Sequence, residues 1–127
     1  MPGSFLLDTN IAVALLAGED AVRASLNQGG LTFLSSIGEV FYGARKSARV
    51  LSNVSRVEEL AAKFVVLNCD VSTARHYGKI RELLRAKGRP IPENDIWIAA
   101  HAEQYDLTLV TRDAHFSAVE GIRIEAW

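Results

Sequence analysis

Short apolar runs alternate along this chain with longer stretches in which apolar positions recur every three or four residues. The short runs suit strands buried on both faces, and the periodic stretches suit amphipathic helices. Ser4 to Leu7 reads as a strand ending at Asp8. Asn10 suits an N-cap for a helix through Ile11, Ala14 and Leu15 that stops at Gly18. A second helical piece starts at Glu19 and Asp20, and Asn27 to Gly30 reads as a turn. Leu31 to Ser35 is the second strand. Ser36 opens a helix with apolar positions Val40, Phe41, Ala44, Ala48 and Leu51.

Ser52, Asn53 or Ser55 then caps a helix with Val54, Val57, Leu60 and Ala61 inward, and Phe64 to Leu67 is the third strand. Asp70 starts a long helix with Val71, Ala74, Tyr77, Ile80 and Leu84 inward and Gly88 as its stop. Pro90 and Pro92 hold the next connection extended. A helix carrying Asp95 runs to about Tyr105, Leu107 to Thr111 is a fourth strand, and Ile122 to Glu125 suits a fifth. Such alternation predicts an α/β fold, helices packed on a mostly parallel sheet.

At 127 residues, 49% hydrophobic and 23% charged, the chain fits one globular domain over residues 1–127, not a disordered segment. The net charge of −1 expresses no global preference for nucleic acid, but its distribution does. Arg45 to Arg89 holds 11 of the 14 basic residues and four acids, a local net of +7; the remainder carries −8. Cys69 is the only cysteine, which excludes an internal disulfide and a cysteine-based zinc site. It reads as a small apolar residue. The longest apolar run, Ile11 to Ala17, is too short to span a bilayer, and the opening MPGSFLLD lacks the basic region of a signal peptide. The expectation is a soluble cytoplasmic protein without membrane attachment.

In parallel sheets, ligands bind outside the carboxyl ends of the strands. Asp8, Glu39 and Asp113 follow strands closely, and Asp95 opens the helix leading into one. Each has an ordinary structural explanation. Asp8 suits a helix cap, Glu39 a capping box with Ser36, Asp95 a first helical turn, and Asp113 a cap of the turn at Ala114 to Phe116. Together they are harder to explain that way. Four carboxylates at one edge repel unless a cation sits among them, and only Arg112 is close in sequence. All-oxygen ligation favours magnesium or manganese over zinc. Such ions would position and deprotonate a water and neutralise a phosphate under in-line attack.

The ordered segments FLLDTN, IGEVFYGARKS, PENDIWIAAHA, LVTRDAHF and GIRIEAW resemble, over essentially the whole chain, the PIN-domain ribonucleases, more narrowly the VapC-type toxins of bacterial toxin–antitoxin pairs. The resemblance implies a three-layer α/β/α fold with about five strands, the first of them central. It implies that Asp8, Glu39, Asp95 and Asp113 form the family's acidic quartet, with Asp8 and Asp95 the principal ligands of Mg2+ or Mn2+. Asp113 is then a further ligand, and Glu39 holds a bridged or second metal and orients the attacking water. Asn10 and Thr111 match polar supporting positions, and Arg112 one that meets a scissile phosphate. A homodimer, an RNA substrate such as tRNA or rRNA, and a cognate VapB-type antitoxin follow from the same resemblance.

Arg45, Lys46 and Arg49 follow Glu39 along the expected helix and are candidates for gripping phosphates. Phe41, Tyr42 and Trp97 are candidates for stacking on unpaired bases, Phe41 having the stronger claim to the core. His76, His101 and His115 lack metal-ligand spacing and suit surface or packing roles. Two rival functions are consistent with β/α alternation: a PIN fold without catalysis that only binds RNA or protein, and a phosphoacceptor receiver domain. The receiver would need paired acids after its first strand and a lysine after its last; here Thr9 and Asn10 follow Asp8, and no lysine follows Lys87.

Overall fold

The structure, a computed structural model, describes residues 4–28, 30–35 and 37–127. Its centre is β1 (Phe5–Leu7), which pairs in parallel with β2 (Thr32–Leu34) on one side and β4 (Thr108–Val110) on the other. The outer strands β3 (Val65–Val66) and β5 (Arg123–Glu125) are also parallel, giving the order β3-β2-β1-β4-β5. The first strand is thus central, as the family resemblance implies, and all five strands run the same way. A receiver-type sheet has the order 2-1-3-4-5, so the observed order excludes that rival.

Alternation along the strands builds two cores. Leu6 and Leu109 face one way, into a core with Ile80, Leu84, Ile98 and Phe116. Leu7, Leu34 and Val110 face the other, packing with Ile11, Val22, Val40 and Leu60. The first core lies under α5 (Val71–Ala86) and α6 (Glu93–Gln104). The second lies under α1 (Thr9–Leu16), α2 (Asp20–Leu26), α3 (Gly38–Arg45) and α4 (Val50–Lys63). The result is the three-layer α/β/α arrangement.

Three local expectations change. The cap of α1 is Asp8, not Asn10. The apolar periodicity from Val40 to Leu51 spans two helices rather than one. At the corner, Ser47 Oγ donates to the Ala44 carbonyl at 2.6 Å and accepts from Asn53 Nδ2 at 2.9 Å. This polar clasp turns the chain without a glycine or proline. It starts α4 at Val50, ahead of the expected Ser52, Asn53 or Ser55, and leaves Leu51 87% exposed.

On α5 the inward face is Thr73, Tyr77, Ile80 and Leu84, while Val71 and Ala74 are exposed. The cause is the cap. Asp70 accepts from the Thr73 amide at 2.9 Å, and the Thr73 hydroxyl accepts from the Asp70 amide at 3.1 Å, turning Thr73 inward. Gly88, at φ +67°, follows the end of this helix in the left-handed region that glycine favours.

Candidate active site

The strand order reverses between β1 and β4, and the chain leaves both strands there with an acid. The Asp8 amide donates to the Val110 carbonyl at 2.9 Å, continuing the β1–β4 ladder one residue beyond the strand. Asp8 is 4% exposed, and both its oxygens are engaged. Oδ1 accepts from the Thr9 amide at 2.8 Å, and Oδ2 accepts from the buried Thr111 hydroxyl at 2.7 Å. The same Thr111 oxygen accepts from the Asp113 amide at 2.9 Å. Thr111 therefore couples the acid after β1 to the acid after β4.

Asp113 caps the 3-10 turn Ala114–Ala118, accepting from the His115 amide at 2.9 Å. That bond turns the His115 ring back toward the acids. Its Nδ1 lies 3.1 Å from Asp113 Oδ1 and 3.4 Å from Asp95 Oδ2. Asp95 reaches the same place from the first turn of α6, which begins just after Pro92. Asp95, Asp113 and His115 each offer one ligand atom, all within 4.8 Å of one another.

The carboxylates sense each other. Burial pushes the Asp8 carboxyl above its ordinary 3.8; the bonds from Thr111 and Thr9 oppose this, and the negative Asp113 adds to it. Burial also raises Asp95, followed by the charge of Asp8; the His115 bond opposes, and Asp113 adds a further upward push. A divalent cation relieves this repulsion, and carboxylate and imidazole donors suit one. The donor set fits a metal, although it is mixed oxygen and nitrogen rather than the all-oxygen set expected from the acids alone.

Glu39 is exposed in the first turn of α3, and no hydrogen bond or ion pair among the described residues joins it to the other three acids. Its expected capping partner Ser36 lies outside the described residues. Arg112 points elsewhere. Its Nη2 donates to Glu19 Oε1 at 2.9 Å and its Nε to the Trp127 carbonyl at 2.9 Å, while its amide donates to Asn10 Oδ1 at 3.4 Å. Asn10 thus supports the backbone leading from Thr111 to Asp113.

Arg45, Lys46 and Arg49 are all exposed, but only Arg45 lies on the helix of Glu39; Lys46 ends α3 and Arg49 precedes α4. Tyr42 is exposed, with the Lys46 ammonium 4.9 Å from its ring centre. Phe41 packs against the second core. Trp97 already stacks on Tyr77, with ring centres 4.0 Å apart.

Cys69 is exposed rather than packed. His76 pairs with Glu103. His101 is buried, its Nδ1 2.5 Å from the Ser35 hydroxyl, and burial lowers its pKa from 6.5. His115 is the residue that sequence spacing missed. The available signal was its position two residues after Asp113, where an Asx-type turn brings a side chain back over the acid.

A sheet with an acid-lined edge at its switch point, in this strand order, defines the chain's class, and a family model for the PIN domain matches residues 5–122. The chain belongs to the PIN-domain family. It is 37% identical to the tRNA(fMet)-specific endonuclease VapC of Shigella flexneri and 34% identical to Ribonuclease VapC2 of Haemophilus influenzae, with 97% of each chain covered in both cases. Within the family it therefore falls among the VapC ribonucleases. Its fold matches the DNA-bound VapBC complex of Salmonella typhimurium with a TM-score of 0.90 and 35% identity, covering 98% of each chain.

Proposed function

We propose that the chain is a metal-dependent endoribonuclease toxin, folded as a single PIN domain over residues 1–127, that hydrolyses phosphodiester bonds in structured RNA. The observation that carries this reading is the Asp8–Thr111–Asp113 chain of hydrogen bonds, with Asp95 and His115 closing on it at the sheet's switch point. A divalent ion, Mg2+ or Mn2+, supplies when bound the Lewis acidity that neutralises the phosphate and makes a water nucleophilic.

The chain's own residues do the rest. Asp8, Asp95 and Asp113 would hold the ion. Thr111 fixes the direction of Asp8 and the entry to Asp113, so the carboxylates need little reorganisation when substrate binds. Glu39, exposed in the first turn of α3, would orient the attacking water once RNA is bound. Arg112 meets the scissile phosphate after exchanging Glu19 for it, and Arg45, Lys46 and Arg49 hold flanking phosphates. The products carry 5′-phosphate and 3′-hydroxyl ends.

A tRNA is our first candidate substrate, supported by the relative named a tRNA(fMet)-specific endonuclease. The VapBC assembly supports a VapB-type antitoxin as the partner, acting on a homodimer of this chain in the cytoplasm. No helix among the described residues is long and apolar enough to cross a membrane.

Purified protein should cut a tRNA pool with Mg2+ or Mn2+, stop on chelation, and lose cleavage in Asp8→Ala and Asp95→Ala. Undiminished cutting by both variants would overturn the assignment. RNA retention with neither cleavage nor metal binding would instead identify a binding module.

A further inference from the structure

Among the described residues, the partner offered to both Asp95 and Asp113 is neither a lysine nor an arginine but the imidazole of His115. Arg112, the nearest cation in sequence, is held by Glu19 and the Trp127 carbonyl. The His115 ring is 53% exposed, so no packing requirement forces it over the acids. Its position comes from the backbone: the Asp113 carboxylate receives the His115 amide, and the ring folds back onto the same oxygen, Oδ1.

The separations match a coordination shell. Two donors on adjacent corners of an octahedron with bonds of about 2.1 Å lie about 3 Å apart. His115 Nδ1 stands 3.1 Å from one carboxylate oxygen and 3.4 Å from the other. A small closure of the three side chains would seat one ion between them. The neutral imidazole, with its proton on Nε2, then presents Nδ1 as a donor.

We propose that His115 is a direct nitrogen ligand of the catalytic ion, and that this nitrogen makes the site prefer Mn2+ to Mg2+. The inference rests on the metal-dependent reading above and sharpens it. Mg2+ is a hard ion that takes oxygen and releases its waters reluctantly, whereas imidazole suits transition metals. Replacing one oxygen of an acidic site by nitrogen therefore costs Mg2+ more than Mn2+. The nearby aspartates supply the charge that both ions need, and His115 supplies the discrimination.

The test is binding, read apart from cleavage. Mn2+ is titrated into wild-type protein, His115→Ala and His115→Asp by electron paramagnetic resonance, with Mg2+ as competitor. Electron spin-echo modulation then reports any 14N nucleus on the bound Mn2+. Removing even an outer partner of a metal ligand costs about 10- to 100-fold in affinity. His115→Ala should therefore lose at least about tenfold for Mn2+ and less for Mg2+.

Wild-type protein should show imidazole 14N modulation that both variants lack. His115→Asp should recover binding while losing the preference for Mn2+. Tight Mn2+ binding without 14N modulation, or an unchanged Mn2+/Mg2+ ratio in both variants, would overturn the role of His115 and leave the metal-dependent nuclease standing. Absence of any Mn2+ or Mg2+ binding by wild-type protein would overturn that broader reading and the role of His115 with it. His115 lies on an exposed turn, so circular dichroism is expected to show both variants folded.

Discussion

The Thr111 hydroxyl donates to Asp8 Oδ2 at 2.7 Å although 103 positions separate the two residues in the chain. Thr111→Val keeps the shape and removes the donor, leaving a buried carboxylate oxygen unsatisfied. The cost is expected at about 1–3 kcal/mol of stability, read from urea denaturation at neutral pH. Cleavage should fall by about tenfold or more, the scale on which groups orienting a metal ligand act. Thr111→Ser, which retains the hydroxyl, should recover most of both.

Asp8→Asn should stabilise the metal-free protein at neutral pH while abolishing cleavage. The sign follows from linkage. The folded carboxyl is raised above 3.8, chiefly by burial, so the folded state binds its proton more tightly than the unfolded state does. That contribution is present below 3.8 and lost as pH rises through the folded value. At neutral pH the charged Asp8 therefore opposes folding, and asparagine, an equally good helix cap, removes the opposition. A gain on the order of 1 kcal/mol is expected. Denaturation midpoints with chelator present, at acidic and neutral pH, measure it.

Metal should reverse this penalty in the wild-type protein. At a free concentration of 100 times the dissociation constant, the ion adds about 2.7 kcal/mol to folding stability. Thermal unfolding should shift upward with Mn2+ or Mg2+, and the shift should shrink sharply in Asp95→Asn.

His101 gives a separate dependence on pH. It is buried against Ser35, and its pKa is lowered from 6.5 chiefly by burial, while the Asn68 carbonyl and the charge of Asp70 oppose the shift. A histidine kept neutral in the fold lends stability that is present above 6.5 and lost as pH falls toward its folded value. Wild-type stability should therefore decline as pH falls from neutral through 6.5 toward the lowered folded value. His101→Gln should be less stable at neutral pH but flatter across that interval. Urea midpoints at several pH values separate the two slopes.

The basic segment predicts how salt affects RNA binding. Each phosphate contact contributes about 0.7 to the slope of log affinity against log salt for single strands. Removing Arg45, Lys46 and Arg49 together in an Asp8→Asn background should lower the slope by about 2, measured by fluorescence anisotropy across a potassium chloride series.

The strand–helix order and the gathering of Asp8, Asp95 and Asp113 were legible because each rests on local chemistry: apolar runs, helix starts and acids at strand ends. The corner between α3 and α4 was not, because Ser47 and Asn53 clasp it through side-chain hydrogen bonds with no breaking residue to mark it. Val71 and Ala74 were assigned inward by periodicity, but the Asp70–Thr73 cap rotates the face. His115 escaped because its partners come from α6 and from a turn whose direction is set by a single backbone bond. Glu39 is exposed in the first turn of α3, and no hydrogen bond or ion pair among the described residues joins it to the other three acids; Ser36 lies outside the described residues.

The segment from Asp95 to His115 enters the sheet beside β1, a strand made a hundred residues earlier. A nascent chain halted before β4 carries Asp8, Glu39 and Asp95 but neither Thr111 nor Asp113. It has three of the four acids but lacks the hydroxyl that ties Asp8 to the fourth. The Asp8–Thr111–Asp113 link therefore closes late in synthesis, only once β4 has paired with β1.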